Sequence, residues 1–97
     1  METYVVLRRR GWRDGDDLRA AAERSVLEGE NTPDEVRWIR SYVLAEEDGS
    51  LGTVCIYQAS SPEAIREHTR RAALPLDEII PVADTVIVRP DPQEVLA

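Results

Sequence analysis

The pattern of apolar and polar positions divides the chain into four strand-like and two helix-like stretches. Alternation is clearest from Val36 to Leu44. There Trp38, Arg40, Tyr42 and Leu44 fall on one side and Arg37, Ile39, Ser41 and Val43 on the other, because strand side chains repeat every two residues. Thr53 to Ala59 alternates in the same way, with Val54 and Ile56 opposed to Cys55 and Tyr57. Between these strands lies the acidic stretch Glu46 to Ser50, whose Asp-Gly pair is a strong hairpin signal.

Thr3 to Leu7 (TYVVL) reads as a first strand, being short, β-branched and aromatic. The arginines that follow, Arg8 to Arg10, read as its solvated tip, with anion binding as the weaker alternative. After the turn-rich Gly11 to Asp17, Asp14 or Asp16 is placed to cap a helix. The stripe of that helix is Leu18, Ala21, Ala22, Ser25 and Val26, running through Leu27. Gly29 is expected to end it, and Pro33 blocks its continuation. Ser61-Pro62-Glu63 predicts a second helix start: a hydroxyl cap, proline at the first helical position, and an acid near the positive end of the dipole. This helix is expected to run to about Ala73, with Ala64, Ile65, His68 and Ala72 on its apolar stripe. Ile79 to Val88, interrupted by Pro81 and Asp84, predicts the closing strand.

The order β-α-β-β-α-β predicts an α+β, ferredoxin-like sandwich: a four-stranded antiparallel sheet with both helices on one face. Residues 1–90 form the single domain in this reading, and 91–97 an extended tail. If Ile39, Val43, Val54 and Ile56 meet the helices, then Trp38, Arg40, Tyr42, Cys55 and Tyr57 line the opposite, open face. So aromatic a patch predicts a cover, either a second copy of the chain in a dimeric α/β barrel or a small ligand.

Size and charge narrow the function classes. At 97 residues the core is small, and a homodimeric interface would add to it. A formal charge of −7 argues against nucleic acid, since a phosphate-tracking surface needs clustered positive charge. Nothing approaches the ~18 apolar residues of a membrane span. A single cysteine forms no internal disulfide, and no secretory leader pattern opens the chain, so a cytoplasmic protein is expected. Phosphate loops, CxxC or HxxxH ligand pairs and Gly-x-Ser-x-Gly elbows are missing, and whether the chain is an enzyme stays open.

Several pieces in order carry a family likeness: Trp38-Ile39-Arg40-Ser41-Tyr42-Val43, Cys55-Ile56-Tyr57, Ala59 to Arg66, and Leu74-Pro75 before the closing strand. Together they resemble a family of small proteins of unknown function whose best-described type is a nickel-binding, ferredoxin-like dimer. The resemblance implies the fold, a homodimer with facing sheets, and Ni²⁺ or another divalent metal as cofactor, with His68 and Glu67 as the matching candidate ligands. It also marks a departure. Arg40 stands where many members have histidine, and a guanidinium cannot ligate a metal.

The candidates therefore form two groups. His68 and Glu67 on the second helix are the metal candidates, although Glu67 projects about 100° away from its neighbour and suits an ion pair with Arg70 or Arg71. The ordinary alternative for His68 is a helix-stripe imidazole satisfied by a neighbouring hydroxyl or carbonyl. Trp38, Arg40, Tyr42, Cys55 and Tyr57 are the candidate small-molecule pocket, with Arg40 expected to hold an acidic or carbonyl group and His68 or Tyr57 to move a proton. Cys55 doubles as an ordinary buried side chain, and the aromatics as interface residues.

Overall fold

The computed structural model describes residues 1–92; most of the expected 91–97 tail thus lies outside the described residues. The elements are β1 (Glu2–Trp12), α1 (Gly15–Asn31), β2 (Val36–Ala45), β3 (Leu51–Ala59), α2 (Pro62–Arg71) and β4 (Glu78–Pro81). The strands lie in the order β2-β3-β1-β4, with every neighbouring pair antiparallel. This is the ferredoxin-like α+β fold, its two helices packed on one sheet face. No helix among the described residues is long and apolar enough to cross a membrane.

Local chemistry sets the helix starts as expected. Asp14 accepts the Asp17 amide at 3.0 Å to start α1, and Ser61 accepts the Ala64 amide at 3.2 Å to start α2, with Pro62 just inside. The hairpin between β2 and β3 closes with Gly49 at φ 86°, where glycine carries no Cβ penalty. α1 runs two residues past Gly29, to Asn31.

Three expectations are corrected. β1 does not end before the arginines but continues to Trp12, with a bulge between Arg8 and Trp12 where Arg10 takes a positive φ of 50°. β4 stops at Pro81, so the Val86–Val88 run forms no strand and stands exposed. The sheet faces are also assigned differently. On β3 it is Thr53, Cys55, Tyr57 and Ala59 that are buried beneath the helices, and Val54 and Ile56 that lie on the open side.

β3 alternates without interruption from Thr53 to Ala59, whereas β2 does not. Trp38 pairs with Tyr57, but the next matched pair is Arg40 with Ile56, leaving Ile39 as an extra residue. A bulge inverts alternation beyond it. Val36 and Trp38 thus share the helix side with Ser41 and Val43, while Arg40 and Tyr42 go to the open side. The core is Tyr4, Val6, Val36, Cys55, Tyr57, Ala59 and Ile65. Burying a side chain the size of Ile65 contributes about 1.5–3 kcal/mol.

Candidate functional site: a buried arginine beside an interlayer cavity

Continuation of β1 carries Arg8 inward, onto the same face as Tyr4 and Val6, and only 1% of it is exposed. Its guanidinium is held at the far end of α2. Nη1 donates to the Pro75 carbonyl at 2.6 Å and to Thr69 Oγ1 at 3.3 Å, while Nη2 donates to the Tyr57 hydroxyl at 3.5 Å. The guanidinium carbon lies 5.9 Å from the Tyr57 ring centroid. The partially negative C-terminal end of α2 and the aromatic ring offset part of the charge. No carboxylate among the described residues lies within ion-pair distance of Arg8.

Next to this group a cavity of about 240 Å³ opens between the sheet and α1. Trp12, Leu18, Trp38, Val43 and Leu74 supply apolar wall, and Arg8, Ser25, Thr53, Cys55 and Tyr57 the polar groups. Small residues on α1, Ala21 and Ala22, leave the space unfilled. Burial pushes the Tyr57 phenol up, an effect the Arg8 charge opposes, so Tyr57 is a neutral hydroxyl donor at pH 7. Burial, helped by Arg8, pushes His68 down, against Glu28.

Of the residues expected to share a pocket, the structure brings some together and separates others. Trp38, Cys55 and Tyr57 do line one cavity, but on the helix side of the sheet and not on its open face. Trp38 stacks on Tyr57 with ring centroids 6.5 Å apart and donates through Nε1 to Ser41 at 2.8 Å. Cys55 is buried and donates to Thr53 Oγ1 at 3.2 Å. Arg40 and Tyr42 are on the opposite face, where both donate to Asp91; the structure does not bring them to the other three. His68 reaches the edge of Tyr57 at 5.8 Å between centroids. Arg8 was missed, and its one sequence signal was its place in the strand's alternation after Tyr4 and Val6.

The expected metal ligands diverge. Glu67 binds Arg70 and Arg71, and their hydrogen bonds lower its pKa to about 2. Its oxygens are committed to guanidinium groups. His68 is 3% exposed, has Nε2 at 3.0 Å from Ser25 Oγ, and leaves Nδ1 without a partner. Among the described residues no three His, Cys, Asp or Glu side chains come together as a metal site. Ni²⁺ favours nitrogen and sulfur donors in a defined set, and the described residues of one copy do not assemble that set.

Comparison with known proteins adds two findings. Residues 4–82 match the model of the family described as nickel responsive protein SCO4226-like. The crystal structure of SCO4226 from Streptomyces coelicolor A3(2) superposes with a TM-score of 0.68 at 19% identity, covering 87% of this chain and 99% of that one. At that identity the likeness establishes the fold. No curated protein matches.

Proposed function

We propose a function for a chain that belongs to the nickel responsive protein SCO4226-like family: it is a small-molecule-binding protein that holds its ligand between the sheet and α1. The observation that carries this reading is the 240 Å³ cavity, walled by tryptophans and furnished with a buried cation and hydroxyl groups. Ligand sites combine apolar walls with a few convergent polar groups in this way. Both tryptophans of the chain line the cavity, so occupancy is readable as a change in tryptophan fluorescence. Titration with single-ring aromatic probes should give a saturable change that Leu18→Trp, which fills the cavity from α1, removes. A linear, unsaturable response in the wild-type chain refutes the reading.

The working unit in this proposal is a cytoplasmic homodimer. Support comes from the open sheet face, where Val5, Leu7, Val54, Ile56 and Ile80 lie together at positions matched across the ladders, and from exposed Val86, Ile87 and Val88 beside it in the chain. A second copy facing this sheet would cover that apolar surface. The free cysteine agrees with a reducing compartment. Sedimentation of the wild-type chain should give the dimer mass and Ile80→Glu the monomer mass; a monomeric wild type sinks the dimer.

Divalent-metal binding is a second reading, favoured by one observation: the buried Nδ1 of His68 has no hydrogen-bond partner. It calls for donors from a second copy, because the described residues of a single chain bring no three together. Calorimetric titration of tag-free protein with Ni²⁺ decides it. Binding tighter than about 10 μM, lost in His68→Gln, supports the reading, since that affinity corresponds to roughly 7 kcal/mol; weaker binding removes it.

A further inference from the structure

We infer that the cavity beside Arg8 is a site for a small aromatic carboxylate, an inference that rests on reading the cavity as a ligand site. A guanidinium carries its full charge at any physiological pH, and moving it out of water costs several kcal/mol unless an anion accompanies it. Arg8 is buried, and among the described residues it has only neutral acceptors: a carbonyl and two hydroxyls. Carboxylates are plentiful in this chain, yet those near its other arginines are spent there. Glu46 binds Arg9, Asp17 binds Arg13, Asp91 binds Arg40, and Glu67 binds Arg70 and Arg71. The one arginine deep in the interior is the one for which the described residues supply no counter-ion.

The free donors have the right shape. A guanidinium carries five N–H groups. Nη1 uses its pair on Thr69 and Pro75, and Nη2 uses one on Tyr57. Nε makes no hydrogen bond among the described residues, and a guanidinium edge of Nε–H beside an Nη–H can take both oxygens of a carboxylate. Ser25 and Thr53 hydroxyls line the same cavity.

The walls set the rest of the ligand. Trp12, Trp38 and Leu18 offer flat and aliphatic surface, which suits a ring. At about 240 Å³ the cavity is on the scale of a single-ring ligand, below the range of drug-sized pockets. A phosphorylated or polyanionic ligand is a poorer match, because a single guanidinium faces walls with no second cation among the lining residues.

The test compares benzoate, benzamide and orthophosphate on the intact chain by tryptophan fluorescence and calorimetry. Benzoate should bind saturably, benzamide about tenfold more weakly or worse for loss of the charge-assisted pair, and orthophosphate should not compete. Arg8→Met should abolish the preference for benzoate over benzamide. Because that variant removes a buried group and risks unfolding, Ala22→Phe serves as the second: it narrows the cavity from α1, leaves the guanidinium in place, and should weaken both ring probes in a protein with wild-type circular dichroism. Equal binding of benzoate and benzamide overturns the carboxylate assignment and leaves the ligand cavity standing. Displacement of benzoate by orthophosphate overturns it in favour of a general anion site. Failure of both ring probes with folded wild-type chain overturns the carboxylate site and the proposed function together.

Discussion

Ser25 Oγ lies 3.0 Å from Nε2 of His68, and this contact joins α1 to α2 inside the core. Whichever ring nitrogen carries the proton, Nδ1 is left without a partner, so Ser25 provides the only hydrogen bond to the imidazole among the described residues. Ser25→Ala should cost about 1–3 kcal/mol, the usual penalty for orphaning a buried polar group, measured by urea unfolding. A change below ~0.5 kcal/mol would contradict it.

The same histidine predicts a pH dependence. Burial, with Arg8 adding to it, lowers the folded-state pKa below the ordinary 6.5, so the unfolded chain binds the proton more readily. Stability from this group is complete above about pH 6.5 and is lost as pH falls toward the depressed folded value. Thermal melts of wild type should fall between pH 7.5 and 5, with a shallower slope in His68→Gln, which has no proton to take up. Parallel slopes would show that His68 is not the titrating group.

Gly52 marks a close approach between β3 and the β1 bulge. A Cβ there would sit 2.7 Å from Glu46 Oε2 and 2.8 Å from the Arg8 carbonyl. The first atom ends a side chain, but the second is backbone in a paired strand and cannot yield without breaking the ladder. Gly52→Ala should therefore destabilise by roughly 1–3 kcal/mol. Adding Glu46→Ala, which clears only the first clash, should not rescue it. Rescue in the double variant would assign the strain to the carboxylate alone.

The parts of this fold legible in sequence were those governed by neighbours along the chain. Asp14, Ser61 and Pro62 announce their helix ends because capping is a contact over three residues, and the Asp-Gly pair announces the hairpin for the same reason. Which sheet face the helices cover was not legible, since both faces of β2 and β3 carry large side chains, and the bulge at Ile39 that parts Trp38 from Arg40 and Tyr42 depends on the register with the partner strand. Arg8 was hidden by its chemistry. An arginine among arginines reads as solvated, and what holds it inside are Thr69 and Pro75, more than sixty positions later. Trp38, Cys55 and Tyr57, grouped in the sequence reading, line one cavity in the structure, and the buried cation beside them had no counterpart in that reading.

Glu67 gives an acid-limb prediction. Hydrogen bonds from Arg70 and Arg71 lower its pKa from the ordinary 4.5 to about 2 in the folded chain. A carboxyl with a depressed folded pKa stabilises above its unfolded value, and that contribution fades as pH drops through the folded one. Glu67→Gln should melt below wild type at pH 7, with the gap closing between pH 4.5 and 2 and shrinking in high salt, since this side chain is 45% exposed. A gap that persists at pH 2 would place its origin in packing.

Asp91 fastens the C-terminal segment across the open sheet face, accepting from Arg40 and, at 2.8 Å, from the Tyr42 hydroxyl. The carboxylate stabilises the protonated phenol and pushes the Tyr42 pKa up, with burial adding to it and Arg40 opposing it. Asp91→Asn removes the charge and leaves an acceptor, so it should lower the Tyr42 pKa relative to wild type, followed by tyrosinate absorbance. Arg40→Ala removes the opposing cation and should shift it upward. Global stability should change little in either variant, because exposed ion pairs contribute at most about 1 kcal/mol. If both substitutions move the titration in the same direction, Asp91 and Arg40 do not act on Tyr42 through opposite charges, and the contact between tail and sheet in solution differs from the one described here.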